Sequence, residues 1–425
     1  MAGMKDSGVE WIGNIPQGWG VSKVKYLFEN HDSKRIPVEK SEREQAANEG
    51  YPYYGANGVQ DYVNGYIFDF DAILVGEDGS VIHDDGTPFV AVARNRYWVN
   101  NHAHVLSPRH SLNFDYATFA LTAADISDAV NGSTRQKLTQ GDLGVVLLPT
   151  PPKDEQQAIT VFLDEKCAAI DAATETLEAQ ISTRERYRAS VIHEAVTRGL
   201  DPAAPTKPSG VDWIGNIPQG WELTPLGYLG SFQNGISKDG SSFGAGYPFV
   251  SYGDAYSNRV LPRNPSGLVR STSEERYRYS VRYGDVLFTR TSETVDEIAY
   301  ASTCLETIEN ATFAGFLIRF RPSNAELDPR FGSYYFRSSH LRRYFSREMV
   351  IVTRASLGQQ LLKRLPVLLP PHEEQVAIAD YLDARTAAID AVIATKRAQL
   401  DVLKRRRQSL IYEYVTGKRR VAQEG

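Results

Sequence analysis

Two stretches of the chain place apolar side chains at a seven-residue spacing. In the first, Leu163, Ile170, Leu177 and Val191 recur by sevens, with Arg184 interrupting and Ile159, Ile181 and Ile192 widening the stripe. In the second, Leu382, Ile389, Leu403 and Leu410 do the same, with Lys396 interrupting and Ile378, Ile393, Leu400 and Tyr414 alongside. Each stretch opens on Pro-Pro (Pro151-Pro152, Pro370-Pro371), and acids follow at once: Asp154 and Glu155, then Glu373 and Glu374. Proline's missing N–H costs nothing in a first helical turn, and carboxylates suit the positive end of the helix dipole. Neither stretch contains proline or glycine until Gly199 and Gly417. The pattern predicts two helices of roughly 43 residues, about 65 Å each. A solitary helix of that length is poorly stabilised, so the two are expected to pair as an antiparallel coiled coil. The alternative is separate packing of each onto its own neighbouring domain.

The regions before the helices alternate short apolar runs with turn residues. Strands are expected at 89–93, 97–99 and 145–148 in the first region, and at 247–251, 286–289 and 316–320 in the second. Helical pattern intervenes at 116–129 and 330–345. Each region is predicted to be a compact α+β domain around a twisted, mostly antiparallel sheet. Gly199 to Gly210, with Pro202, Pro205 and Pro208, marks a linker, and the segment after Thr416 is polar.

The chain is also an internal duplication. Residues 7–19 read SGVEWIGNIPQGW and residues 209–221 read SGVDWIGNIPQGW, an offset of 202 with one substitution, Glu10 against Asp212. Residues 151–171 (PPKDEQQAITVFLDEKCAAID) and 370–390 (PPHEEQVAIADYLDARTAAID) repeat at an offset of 219. The expected domains are a strap (1–21), a first head (22–150), a long helix (151–198), a linker and second strap (199–221), a second head (222–369), and a second long helix with its tail (370–425). Straps and helices are similar in both halves while the heads differ. A frame kept with two diverged heads is what two separate recognition tasks require. The paired straps and helices are expected to set the heads in a pseudo-twofold arrangement.

Composition narrows the function. At 42% hydrophobic and 23% charged, the chain has the material for buried cores. Its two cysteines, Cys167 and Cys304, are far apart and have no metal-ligand spacing. Residues 1–19 lack a basic-flanked apolar core, and no run of about 18 apolar residues occurs, so a cytoplasmic location without membrane contact is expected. The net charge of −5 is unusual for a nucleic-acid binder. By head, residues 20–152 carry 11 basic against 17 acidic side chains (−6), and residues 222–371 carry 18 against 14 (+4). Phosphate attraction in the second head is expected from Arg290, Arg319, Arg321, Arg342, Arg343 and Arg354. No phosphate loop, nucleophile elbow, zinc pairing or amino-methyltransferase Pro-Pro motif is present, so the chain is expected to perform no chemistry itself.

Candidate DNA contacts lie in polar, turn-rich segments. Thr134-Arg135 and Leu138 match Thr353-Arg354 and Leu357 at the offset of 219. Arginine binds guanine or phosphate, asparagine reads adenine, and glutamate accepts from cytosine. The candidates are Tyr54, Asn57, Glu77, Ser133, Thr134, Arg135 and Lys137 in the first head, and Arg290, Thr291, Thr353, Arg354 and Ser356 in the second. His102 and His104 alternate along an expected strand and lack a third metal ligand, so a structural role is favoured. Trp11 and Trp213 are expected to pin each strap to a neighbouring head or helix base.

Several of these motifs together resemble the specificity subunit of type I restriction–modification systems. They are the W-I-G-x-I-P-x-x-W strap (Trp11 to Trp19, Trp213 to Trp221) and the P-P-x-x-E-Q helix start (Pro151 to Gln156, Pro370 to Gln375). To these are added Tyr53 to Gly58, Gly76-Glu77-Asp78-Gly79 and Asn100 to His104. The resemblance covers almost the whole chain, though the second head lacks the Gly-Glu-Asp-Gly form. It implies a non-catalytic reader of a split double-stranded DNA target, each head entering the major groove. It also implies docking of two methyltransferase subunits and of motor–nuclease subunits. S-adenosylmethionine, ATP and magnesium would belong to those partners, and none to this chain. Competing readings are a stand-alone DNA-binding regulator and a coiled-coil protein-interaction scaffold.

Overall fold

A computed structural model of the chain describes residues 3–44, 50–79, 81–132, 135–292, 298–348 and 355–421. It divides into two units: residues 1–178 with 397–425, and residues 179–396. Each unit therefore takes its strap, head and helix start from one repeat and its helix end from the other.

The two long helices are Lys153–Arg198, 46 residues, and His372–Val415, 44 residues. They run antiparallel within each unit. In the first unit Arg407 pairs with Asp171 at 2.8 Å and Lys404 with Glu178 at 3.9 Å. In the second, Arg188 pairs with Asp390 at 2.8 Å, and Ile181 packs on Ile389 and Ile393. The heptad stripe has two uses. Ile170, Leu177, Leu403 and Leu410 are half-buried along the helices. Leu163 enters the first head's core, while Leu382 and Val191 enter the second's. Coiled-coil pairing and packing onto the heads thus coexist.

The repeated motifs are couplings between strap, head and helix. Trp19 is buried and its indole N–H donates to Glu155 Oε2 at 3.1 Å; Trp221 donates to Glu374 Oε2 at 3.0 Å. The neighbouring glutamine clamps the head. Gln156 Oε1 accepts from the Asn113 N–H at 2.8 Å, at the cap of helix Phe114–Ala123. Gln375 Oε1 accepts from the Asp328 N–H at 2.8 Å, at the cap of helix Pro329–Tyr335. The incoming helix end docks on the same tryptophan. Gly199 and Gly417 have φ of 78° and 71°, and a Cβ there would meet Trp221 at 3.4 Å or Pro16 at 2.4 Å. Glycine is required at both ends, for conformation and for space. Trp11 and Trp213 also pin the straps. The Tyr412 hydroxyl donates to the Trp11 carbonyl, and Trp213 stacks on His340 at 5.8 Å.

Each head is built on two sheets of three or four strands, with further two-stranded pairs beside them, where the sequence suggested one sheet. The first head's antiparallel sheet has the order Val90–Ala93, Ala72–Gly76, Ala103–Pro108, Phe28–Asn30. Its second sheet contains a parallel pair, Arg96–Val99 with Tyr51–Gly55. The second head repeats this plan. Gly230–Asn234, Leu317–Pro322, Val286–Thr289 and Ala301–Thr303 form the antiparallel sheet, and Phe243–Val250 runs parallel to Thr312–Phe313. Residues 116–129 divide into an α-helix that ends at Ala123 and a 3-10 turn at Ser127–Ala129. The span 330–345 divides into Pro329–Tyr335 and His340–Glu348. The Ser338 hydroxyl donates to the Tyr335 carbonyl at 2.7 Å there, a local bond that competes with helix continuation. Residues 145–148 divide likewise: Val145 ends a short helix and a strand begins at Leu147.

Candidate nucleic-acid interface

In each head the buried central strand runs out into a polar loop, and that loop pairs with the segment preceding the last short helix. Asp78–Gly79 pairs antiparallel with Gln136–Lys137. Thr291–Ser292 pairs antiparallel with Ala355–Ser356. One bond fixes the register in both: Leu138 N–H donates to Glu77 O at 2.8 Å, and Leu357 N–H to Arg290 O at 2.7 Å. Both leucines are fully buried, so each two-stranded ribbon is fixed to its head at that leucine. In the first ribbon Gln136 Oε1 also accepts from the Val81 N–H at 2.9 Å.

The candidates fall into three groups. Glu77, Arg135 and Lys137 share the first ribbon, and Arg290, Thr291 and Ser356 share the second. Asn57 is exposed in the turn between Tyr51–Gly55 and Gly58–Val63. That turn abuts the ribbon's base: a Cβ on Gly76 would lie 3.1 Å from the Ala56 carbonyl. Tyr54, by contrast, is a core residue, edge-on to Tyr97 at 5.8 Å, and burial pushes its phenol pKa up. Ser133, Thr134, Thr353 and Arg354 lie outside the described residues, and only the backbone of Ser356 is described.

The charges of the first ribbon are internally organised. Arg35 donates to Glu77 Oε2 at 2.5 Å and to the Ala103 carbonyl at 2.7 Å, and lies 3.5 Å from Asp32. His104 is fully buried, with Nδ1 at 2.6 Å from Asp32 and Nε2 at 2.9 Å from the Leu138 carbonyl. Burial opposes the charge on Asp32, but the hydrogen bonds from His104, Asn30 and Val105 outweigh it and hold the carboxyl below its usual range. Asp32, Glu77 and His104 gather metal-ligand atoms within 4.8 Å of one another. The Arg35 guanidinium sits against both carboxylates and both His104 nitrogens are engaged, so the cluster acts as an anchor for the ribbon. His102 precedes the strand and pairs with Asp78 at 2.5 Å. Arg135, 69% exposed, reaches the same carboxylate at 3.0 Å, and Lys137 is 55% exposed. These side chains present a cationic outer edge held by an acidic root.

The arginines of the second head divide differently from the sequence expectation. Arg321 binds Asp285 through two bonds of 2.6 Å, and Asp285 is fully buried. Arg319 donates to the Ser280 carbonyl at 2.6 Å, and burial lowers its pKa to about 10. Arg342 donates to the Ile298 and Ala299 carbonyls. Those three serve the fold, because each guanidinium is already bonded to an internal carbonyl or carboxylate. Arg343 is exposed and Arg290 is partly so. Sequence reasoning overlooked Arg35, Asp32 and Asp78, whose partners are 42, 72 and 57 residues distant. Only the topology brings such groups together.

With this duplicated ribbon-on-sheet plan in view, the comparison with known proteins is direct: the chain belongs to the type I restriction modification DNA specificity family, whose domain matches residues 16–183 and again 218–402. A putative type I restriction enzyme specificity subunit of Haemophilus influenzae, S.HindORF215P, is 35% identical over 133 residues, covering 31% of this chain and 33% of its own length. The putative MjaX specificity subunit of Methanocaldococcus jannaschii is 28% identical over 308 residues, covering 69% of this chain and 63% of its own length. The chain therefore spans less than two thirds of either relative. A solved chain from work on complex assembly and conformational transition of the type I R-M system shares the fold, with a TM-score of 0.63 at 16% identity. That match covers 95% of this chain and 99% of the other.

Proposed function

We propose that this chain is the non-catalytic DNA-specificity subunit of a type I restriction–modification complex, each head reading one half of a split double-stranded target. The supporting observation is the pair of equivalent ribbons, built at one topological position in both heads from sequences that differ. A β-ribbon fits the major groove, where base edges are distinguishable. Arg135, Lys137 and Asn57 are the proposed contacts of the first head, and Arg290, Thr291, Thr353, Arg354 and Ser356 those of the second. Glu77, Ser133 and Thr134 support or flank the first set. The long helices are the proposed docking site for two methyltransferase subunits. Motor–nuclease subunits complete a cutting complex, and S-adenosylmethionine, ATP and magnesium act in those partners. The proposed domain limits are the strap, head and helix boundaries of the duplication.

Co-expression with a type I methyltransferase subunit that forms a complex with this chain, followed by genome-wide mapping of modified adenine, tests this reading. A split motif, methylated on both strands only when this chain is present, is expected. A formed complex without new methylation contradicts it and favours a scaffold.

A further inference from the structure

The heads have diverged, yet one exposed feature persists in both. Helix Val24–Leu27 (VKYL) of the first unit matches helix Leu226–Leu229 (LGYL) of the second at the strap's offset of 202. Their flanking aliphatics are buried, but Tyr26 is 64% exposed and Tyr228 81% exposed. Each helix packs on the helix that follows the ribbon, Gln140–Val145 or Gln359–Arg364, which match at the offset of 219. At the crossing one helix carries a lysine and the other a glycine. The first unit has Lys25 against Gly144, where a Cβ on the glycine would lie 3.6 Å from the lysine Cβ. The second has Gly227 against Lys363, where a Cβ on the glycine would lie 3.2 Å from the lysine Cβ and 3.0 Å from its carbonyl. The lysine and the glycine have changed places.

The crossing explains why one partner stays small: two Cβ atoms fit poorly there. It does not explain why the other is a lysine in both units, because any side chain satisfies the packing. Both lysines are exposed; the Lys25 ammonium lies 5.1 Å from the Tyr26 ring, and Lys363 packs on Gly227, the residue before the exposed Tyr228. A cation retained through exchange of positions points to an anionic ligand common to both units. Base edges differ between half-sites, but the phosphate backbone does not. Phosphate contacts fix register without carrying sequence information, so they are the contacts that survive divergence of the reading loops. The distance suits this: the short helix starts two or three residues after the ribbon and its six residues span about 9 Å. We infer that Lys25 with Tyr26, and Lys363 with Tyr228, form a duplicated grip on DNA backbone phosphate. This inference rests on the specificity-subunit reading. It also offers the acidic first head a local cationic hold.

The test uses the assembled complex with its methyltransferase, titrated with target and unrelated duplexes across a salt series. Lys25→Gly is expected to weaken binding about three- to tenfold on both duplexes and to reduce the slope of log K against log salt by about 0.9, one phosphate's share. Lys25→Gly/Gly144→Lys, which installs the second unit's arrangement, is expected to restore both. Lys363→Ala, which leaves Gly227 and the crossing in place, is expected to repeat the loss in the second unit. An unchanged slope overturns the inference and leaves the exchange as packing alone. So does weakened methyltransferase association at unchanged DNA affinity, which marks a protein-docking surface. A wild-type complex that binds no DNA instead sinks the specificity reading.

Discussion

Gly199 and Gly210 make a controlled pair in the second unit. Both hold φ at 78°, so alanine at either position enters the left-handed region at a cost of about 1–2 kcal/mol. A stiffer unfolded chain offsets roughly 0.4–1 kcal/mol of that. They differ in surroundings. A Cβ at 210 meets nothing within 4 Å, whereas one at 199 lies 2.7 Å from Glu374 Oε1 and 3.4 Å from Trp221. Relief at 199 displaces the Glu374 carboxylate, whose other oxygen takes the 3.0 Å bond from the buried indole, and a displacement large enough to break that bond leaves the indole N–H unpaired. Leaving such a donor unpaired costs about 1–3 kcal/mol. Gly210→Ala is therefore expected to cost about 1 kcal/mol, and Gly199→Ala roughly 2–4 kcal/mol. Urea denaturation followed by tryptophan fluorescence measures both. Trp221→Phe removes the donor, and in that background the excess at 199 should shrink. Equal midpoint shifts for the two alanines, or an excess untouched by Trp221→Phe, would refute the proposed docking of the helix end on the strap.

Three further outcomes are expected. Arg35→Met leaves Asp32 and Glu77 without their shared cation and should destabilise the first head by about 3–5 kcal/mol in thermal melts; a neutral effect would mean solvent already screens the cluster. Gln375→Ala removes the acceptor of the half-buried Asp328 N–H and donors to the Glu326 and Pro370 carbonyls; a loss of roughly 2–4 kcal/mol is expected, read from chemical denaturation. Burial, with His193 and Arg343 nearby, depresses His340 from 6.5 to about 3. The folded pKa lies below the unfolded one, so this stability is present above pH 6.5 and is lost as pH falls towards 3. His340→Gln should flatten stability against pH across that window, and an unchanged profile would contradict it.

The sequence made the duplicated frame legible because its signals are local. Proline, acid and heptad spacing mark Lys153–Arg198 and His372–Val415 within a residue or two, and strand Val286–Thr289 stands where its apolar run ends. The second sheet of each head was not legible. Its parallel pairs join segments such as Tyr51–Gly55 and Arg96–Val99, which nothing in the local pattern links. The fates of Arg319, Arg321 and Arg342 were hidden for the same reason, since an arginine's partner is fixed by topology. The ribbons lay between these cases. Their two strands were visible as matching segments, but their pairing with each other was not. The lysine–glycine exchange shows in the repeat offsets only after the two short helices are known to cross.

We propose that each ribbon reads its own half of a split target. This is tested most directly by methylation rates of the assembled complex on duplexes with single base changes in either half, using Arg135→Ala and Arg290→Ala. Arg135→Ala is expected to relax discrimination in one half alone and Arg290→Ala in the other alone. Loss of discrimination in both halves with either variant, or in neither, would contradict it.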